Sequence, residues 1–189
     1  MYIAGGDESN LYEELFAVMI HDYDTFNHMT NVTCYSVLLA VRLGINNREE
    51  LGSLAQGALL HDVGKRFIRK DIIDKPDRLT LVEQKLVRQH PQRGFETLCH
   101  REDLGWGALM MVYQHHERCD GRGYPVGLTE REIHPWARIC GVADVFDALT
   151  RDRPYREAIG RKDVLEYLDR EGGRGFDEEM IRCWIEVMS

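Results

Sequence analysis

The side chains best suited to chemistry in this chain are two adjacent pairs, His61-Asp62 and His115-His116, together with His28, His90 and Asp144. Imidazole nitrogen suits zinc, iron, nickel and related ions, whereas carboxylate oxygen suits harder ions such as manganese and magnesium. A mixed set of this size is rich enough for two ions, with Asp62 as the natural bridge because each of its oxygens can take one. Two ions about 3.5–4 Å apart clamp a phosphoryl group and lower the pKa of a bound water to about 7, giving a hydroxide nucleophile at neutral pH. A Ser or Cys nucleophile is then unnecessary, and the chain has neither a G-x-S-x-G elbow nor a P-loop. The second pair runs directly into a turn, residues 120–128, that contains Gly123-Tyr124-Pro125 and offers a docking surface beside the metals.

Each residue also has a plainer reading. His61 extends the stripe Leu51, Leu54, Ala58, and His28 begins the stripe Val32, Tyr35, Leu39, so both stand where a helical period asks for a core residue. One inward histidine is commonly a hydrogen-bonded core group. Two, each near a carboxylate, need a stronger explanation, because burying unpartnered polar groups costs on the order of several kcal/mol. His115 and His116 point about 100° apart on a helix and reach one site only if the helix end is aimed at it; otherwise one is inward and one exposed. His90 before Pro91 is either a ligand or a C-terminal cap favoured by the helix dipole. Asp144 lies among Val142, Ala143, Val145 and Phe146, where an acid needs a metal or a histidine beside it. Lys65 is a point charge for a phosphate or a solvated cation at a helix end. Arg153 and Arg156, in Arg-Pro-Tyr-Arg, can pair with phosphate or a guanine edge, or form an ordinary basic loop. Tyr124 stacks on a ligand, donates to it, or simply closes its turn, while His21, His100 and His134 read as surface or structural.

The elements that must position these groups are helical. Residues 11–20 form a short apolar helix, the His28 helix runs to about Leu43 before Gly44, and the His61 helix ends at Gly64. Residues 71–79 read as a loop. Thr80 and Glu83 form a capping box for a helix carrying residues 84–90, with Pro91 directly after it. Further helices cover 106–117, Pro135 through Asp147, and 161–169, with a short helical turn at 129–132 and a last helix capped by Asp177. Alternating β-branched runs are absent, so the expectation is an all-α domain of roughly eight helices over 11–189, preceded by a loose tail at 1–10. No apolar run reaches the ~18 residues of a membrane span. The first ten residues lack the basic and apolar regions of a signal peptide, which makes the cytoplasm the expected location. Five scattered cysteines without a C-x-x-C pair suggest reduced thiols. A formal charge of -8 argues against coating a nucleic-acid polymer, but bound cations would still let the chain hold a small phosphate ligand.

The conjunction of Asp24-Thr25-Phe26-Asn27-His28, His61-Asp62-Val63-Gly64-Lys65, His90-Pro91, His115-His116-Glu117-Arg118, Gly123-Tyr124-Pro125, Val142-Ala143-Asp144 and Arg153-Pro154-Tyr155-Arg156 resembles the HD-GYP family of metal-dependent cyclic dinucleotide phosphodiesterases. The resemblance covers residues from about Asp22 to Phe176. It implies an HD-domain helical bundle that hydrolyses cyclic di-GMP to pGpG or GMP, some members preferring cyclic GMP–AMP. It further implies one ion held by His28, His61, Asp62 and Asp144 and another by Asp62, His90, His115 and His116. Iron or manganese leads, with zinc, nickel and magnesium as alternatives. Lys65, Arg153 and Arg156 would contact the ligand, and Gly123, Tyr124 and Pro125 would shape the site. Relatives with a third ion carry an acid, usually Glu, four residues before the first histidine. Asp24 holds that place one methylene shorter, and its plainer role is to favour the helix dipole. The family often follows a receiver or sensory domain, so other signalling domains or diguanylate cyclases are expected partners, and the chain is a stand-alone enzyme or an excised fragment. Competing readings are a binding module without turnover and a mononucleotide phosphohydrolase; the Gly-Tyr-Pro turn and Arg-Pro-Tyr-Arg segment argue against the latter.

Overall fold

The computed structural model describes residues 11–152 and 157–189. The expected tail at 1–10 and the segment with Arg153 and Arg156 lie outside the described residues. In chain order the elements are α1 (Leu11–His21), α2 (Tyr23–Arg42), α3 (Arg48–Leu60), a 3-10 turn (Val63–Phe67) and α4 (Lys70–Ile73). They continue with α5 (Leu81–Val87), α6 (His90–Leu98), α7 (Trp106–Gln114), α8 (Pro135–Thr150), α9 (Arg161–Glu171) and α10 (Glu178–Met188). Among the described residues the extended pairing is limited to two isolated bridges, Asp120 with Thr129 and Gly172 with Phe176. The all-α expectation holds.

Local chemistry fixes the helix starts. The Asp22 carboxylate accepts from the Asp24 and Thr25 amides to open α2, Asn47 opens α3, and Asp177 opens α10. Thr80 and Glu83 form the expected reciprocal capping box on α5. The largest departure from expectation is α6. Its sequence was expected to follow a helix end at Pro91, but Pro91 sits in the first turn of a new helix, where a missing N–H costs nothing. A four-residue helix also interrupts the expected loop at 71–79. Two helices end sooner than expected, α3 at Leu60 and α7 at Gln114, which leaves His61 and His115 as C-caps.

The elements that carry the candidate ligands pack directly on each other: α2 on α3 and α8, α3 on α7, α7 on α6 and α8, and α6 on the 3-10 turn. One apolar cluster, around Leu39, Leu54, Met111, Ile139 and Trp184, supports α8; another, around Met29, Leu60, Val63, Leu98 and Val112, supports α6. Phe146 meets Tyr35 and Trp184 edge-on at ring separations of 5.4 and 5.0 Å, pinning the helix that holds Asp144. Gly64 permits the closest approach. A Cβ there would lie 2.0 Å from the His90 carbonyl oxygen and 2.7 Å from the Gly94 nitrogen, so only glycine lets α6 rest on the backbone after Asp62. No helix among the described residues is long and apolar enough to cross a membrane.

Candidate metal centre

Two ligand groups converge at the ends and faces of these helices. His28 of α2, His61 at the end of α3 and Asp144 of α8 form one; Asp62, His90 at the start of α6, and His115 and His116 at the end of α7 form the other. Within each group, one ligand atom from every residue lies within 4.8 Å of the rest. All are buried except His116, which is half-buried. The α7 end therefore does point both its histidines at one site.

The ring orientations are set by backbone carbonyls. His61 Nδ1 donates to the Ala58 carbonyl at 2.7 Å, His90 Nδ1 to the Val87 carbonyl at 2.7 Å, and His115 Nδ1 to those of Met111 and Val112 at 3.0 and 3.1 Å. A carbonyl can only accept, so each neutral ring carries its proton on Nδ1 and presents the Nε2 lone pair inward. Those lone pairs meet each other and a carboxylate. His90 Nε2 and His115 Nε2 are 3.2 Å apart, and His90 Nε2 is 3.1 Å from Asp62 Oδ1. His61 Nε2 stands 3.3 Å from Asp62 Oδ2, and both His61 Nε2 and Asp62 Oδ1 are buried without a hydrogen-bond partner. Acceptors crowded against acceptors are unfavourable unless a cation lies among them, and anchoring of the far ring nitrogen is the usual support of a metal-binding histidine.

The charge states agree with this arrangement. Burial opposes ionisation of Asp62, but Lys65, then His61 and His90, hold its carboxyl well below the usual range. Asp144 is likewise held low against burial, chiefly by His28 and then His116. Burial, reinforced by the neighbouring histidines, keeps His115 and His116 well below the ordinary imidazole range and so neutral at pH 7. His61 is the exception: burial opposes its protonation, yet Asp62 outweighs that and raises it. Ionised carboxylates and neutral imidazoles are the forms that bind divalent cations. The residues present fit such ions.

Two further acids belong to the site although the sequence did not single them out. Asp147, one helical turn after Asp144, accepts from His28 Nδ1 at 2.6 Å and turns Nε2 toward Asp144 Oδ1, 2.9 Å away. Asn31 donates to the other Asp147 oxygen at 2.9 Å, and Arg151 lies 3.5 Å from the carboxylate. The signal was available: a second acid three residues along the same apolar helix faces the same way. Glu117 is buried, and its carboxylate accepts from the amides of Val126, Gly127 and Leu128 at 2.7–3.1 Å. It ties the Gly-Tyr-Pro turn to the histidine pair. Gly123 is required there, since a Cβ would lie 2.4 Å from both the Arg118 nitrogen and Glu117 Cα.

The remaining expected residues separate. Lys65 is neither free nor fully solvated; its ammonium donates to Asp62 Oδ2. Tyr124 stacks on His116 at 4.6 Å, the Arg88 guanidinium carbon lies over the Tyr124 ring 5.1 Å from its centre, and Pro125 follows it half-buried. Asp24 stands apart: it is exposed, 3.9 Å from an Arg151 nitrogen, and outside both ligand groups, and the cap of α2 is Asp22. Arg153 and Arg156 lie outside the described residues. His21 bonds the Ile68 carbonyl, His134 caps α8 and His100 is exposed, all three structural or surface as expected.

Residues 14–180 match the family model described as HD domain. This chain belongs to the HD-domain family. The HD domain is 38% identical over 167 residues to the cyclic di-GMP phosphodiesterase response regulator RpfG of Xanthomonas campestris pv. campestris, covering 87% of this chain and 44% of that protein. It is 33% identical over 175 residues to the cyclic di-GMP phosphodiesterase PA4108 of Pseudomonas aeruginosa, covering 92% of this chain and 42% of the relative. It thus spans less than half the length of these curated relatives. Among solved structures, Bd1817, an HDG"Y"P protein from Bdellovibrio bacteriovorus, shares the fold with a TM-score of 0.73 at 24% identity, over 96% of this chain and 58% of that one.

Proposed function

We propose that this HD domain is a metal-dependent phosphodiesterase that hydrolyses cyclic di-GMP to pGpG, GMP or both. The observation that carries the reading is the pair of adjoining ligand groups, with Asp62 Oδ2 of one 3.3 Å from His61 Nε2 of the other, inward Nε2 lone pairs and two orphaned buried atoms at the site. Similarity to relatives named as cyclic di-GMP phosphodiesterases supplies the substrate.

His28, His61, Asp62 and Asp144 would hold one ion, and Asp62, His90, His115 and His116 the other, with iron or manganese suited to this nitrogen and oxygen mixture. When bound, the ions supply Lewis-acid polarisation of the phosphoryl oxygens and a nucleophile at neutral pH. The chain's own part is to orient and balance charge. Carbonyls fix the imidazoles, Asp147 fixes His28, and Lys65 places a cation beside Asp62, where it can meet a substrate phosphate. Tyr124, held by Glu117 through the following amides, forms a wall beside His116. Arg153 and Arg156 are assigned to ligand binding and Asp24 to a third ion; neither assignment rests on the described geometry. The free cysteines fit a reducing cytoplasm.

The test is incubation of anaerobically purified, metal-loaded protein with cyclic di-GMP, followed by chromatography. Growth of a pGpG or GMP peak is expected. Unchanged substrate would overturn the reading, and faster loss of cyclic GMP–AMP in a parallel incubation would reassign the preference.

A further inference from the structure

A cleft of about 110 Å³ opens beside the ligand groups. Three of its lining residues stand next to ligands on three different elements. Thr25 lies one helical turn before His28, Lys65 one turn after Asp62, and Val87 supplies the carbonyl that orients His90. The outer wall includes Ile73 and Leu79, both left half-buried, and the ammonium of Lys75. The cleft therefore adjoins the ligand groups through Lys65, which reaches Asp62, is walled by aliphatic carbon, and presents a second ammonium at Lys75.

We infer that this cleft receives one guanine base of the cyclic dinucleotide, an assignment that rests on the phosphodiesterase reading. In a cyclic dinucleotide each base is one sugar away from a phosphodiester, so a phosphate at the metals carries a base to an adjoining pocket. Aliphatic walls accept the flat faces of a purine, and the Lys75 ammonium selects its edge. Guanine shows two neighbouring acceptors, O6 and N7, to such donors, whereas adenine replaces O6 with an amino donor that an ammonium repels. Lys75 is held in place by Glu83, with its nitrogen 2.8 Å from both carboxylate oxygens. An ammonium has three N–H groups, so this anchor does not exhaust it. The Thr25 hydroxyl is already given to Asp22 and contributes shape alone.

The experiment uses metal-loaded protein and two substrates, cyclic di-GMP and bis(p-nitrophenyl) phosphate, a small diester with no nucleobase. Leu79→Trp, or Ile73→Trp should the first fold poorly, fills the cleft without touching a ligand. Either is expected to raise KM for cyclic di-GMP by about tenfold or more, the scale of a lost pocket contact, while turnover of the small diester and metal content stay at wild-type values. Lys75→Met should lower the preference for cyclic di-GMP over cyclic di-AMP by about tenfold, the scale of one good edge contact. Folded Trp variants that keep a wild-type KM for cyclic di-GMP overturn the cleft assignment and leave the phosphodiesterase reading standing. Wild-type protein that cleaves the small diester but not cyclic di-GMP overturns the substrate reading, and the cleft assignment with it.

Discussion

Asp147 shows how a residue outside the ligand groups can decide what a ligand does. Its carboxylate is the partner of His28 Nδ1, so removing it frees the ring to rotate or change tautomer. Asp147→Asn should weaken metal binding by about 10–100-fold, the usual cost of losing such a support. Metal titration of the folded variant checks this, and wild-type affinity would show that packing alone holds the ring. The ligands themselves were legible because polar side chains occupied positions that periodicity reserves for the core: His28, His61 and Asp144 all obey that signal. Their supports were not, because a carbonyl partner such as Ala58 or Val87 leaves no mark on residue type. Asp24 is a residue whose spacing and placement differ. Its spacing from His28 suggests a shared face, but it sits in the first turn of α2, where Asp22 takes the cap and Asp24 faces solvent near Arg151. Cys119 gives a residue-scale test of the turn beyond Glu117. Burial, then Glu130, pushes its thiol up to about 11. The raised value means the reactive thiolate is scarce at pH 8, about one in a thousand, and appears as pH climbs toward 11. Alkylation at pH 8 should therefore reach exposed Cys34 and Cys99 well before Cys119, and equal labelling by mass spectrometry would contradict this packing.

At the scale of elements, the site depends on one helix that sequence patterns concealed. Pro91 reads equally well as the end of one helix or the first turn of another, and the local residues do not decide between them. The tertiary contact does: Gly64 and Gly94 let α6 and the 3-10 turn meet backbone to backbone, and that meeting brings His90 to Asp62. Gly64→Ala should cost about 1–3 kcal/mol through overpacking, perceptible as a lower denaturation midpoint, and should weaken metal binding by parting His90 from Asp62. An unaltered midpoint would mean that the helix can slide without loss. The Gly-Tyr-Pro turn poses a similar question. Its glycines and proline announced a turn, but the latch is Glu117, whose three amide partners lie nine to eleven residues later. In Glu117→Ala these donors lose their acceptor, each at a cost of about 1–3 kcal/mol where water cannot replace it. Thermal melting should fall, and KM for cyclic di-GMP should rise more than metal affinity drops; the reverse order would place Glu117 in support of the histidines and not of the turn.

For the molecule as a whole, helices from the first third to the last third of the described chain meet at one buried centre, so metal binding and folding are coupled. Ions bound to the native state alone, at a free concentration a hundred times Kd, add about 2.7 kcal/mol. At about 2–4 °C per kcal/mol for a chain of this size, chelation should lower Tm by roughly 5–10 °C, and coincident melts with and without chelator would deny that the two ligand groups bind metal in the folded protein. The all-α class, the Thr80–Glu83 capping box and the Asp177 cap could be read from one-dimensional patterns, since each depends on local period or residue type. The order of packing could not, because it depends on glycine contacts between segments far apart in sequence. The most direct measurement of the central claim is the rate of cyclic di-GMP hydrolysis by chelator-stripped protein as manganese is returned without oxygen. The two adjoining ligand groups predict no hydrolysis in the stripped protein and a rise that levels off at two equivalents per chain. Turnover that persists without metal, or that stays absent when both equivalents have been taken up, would contradict the account.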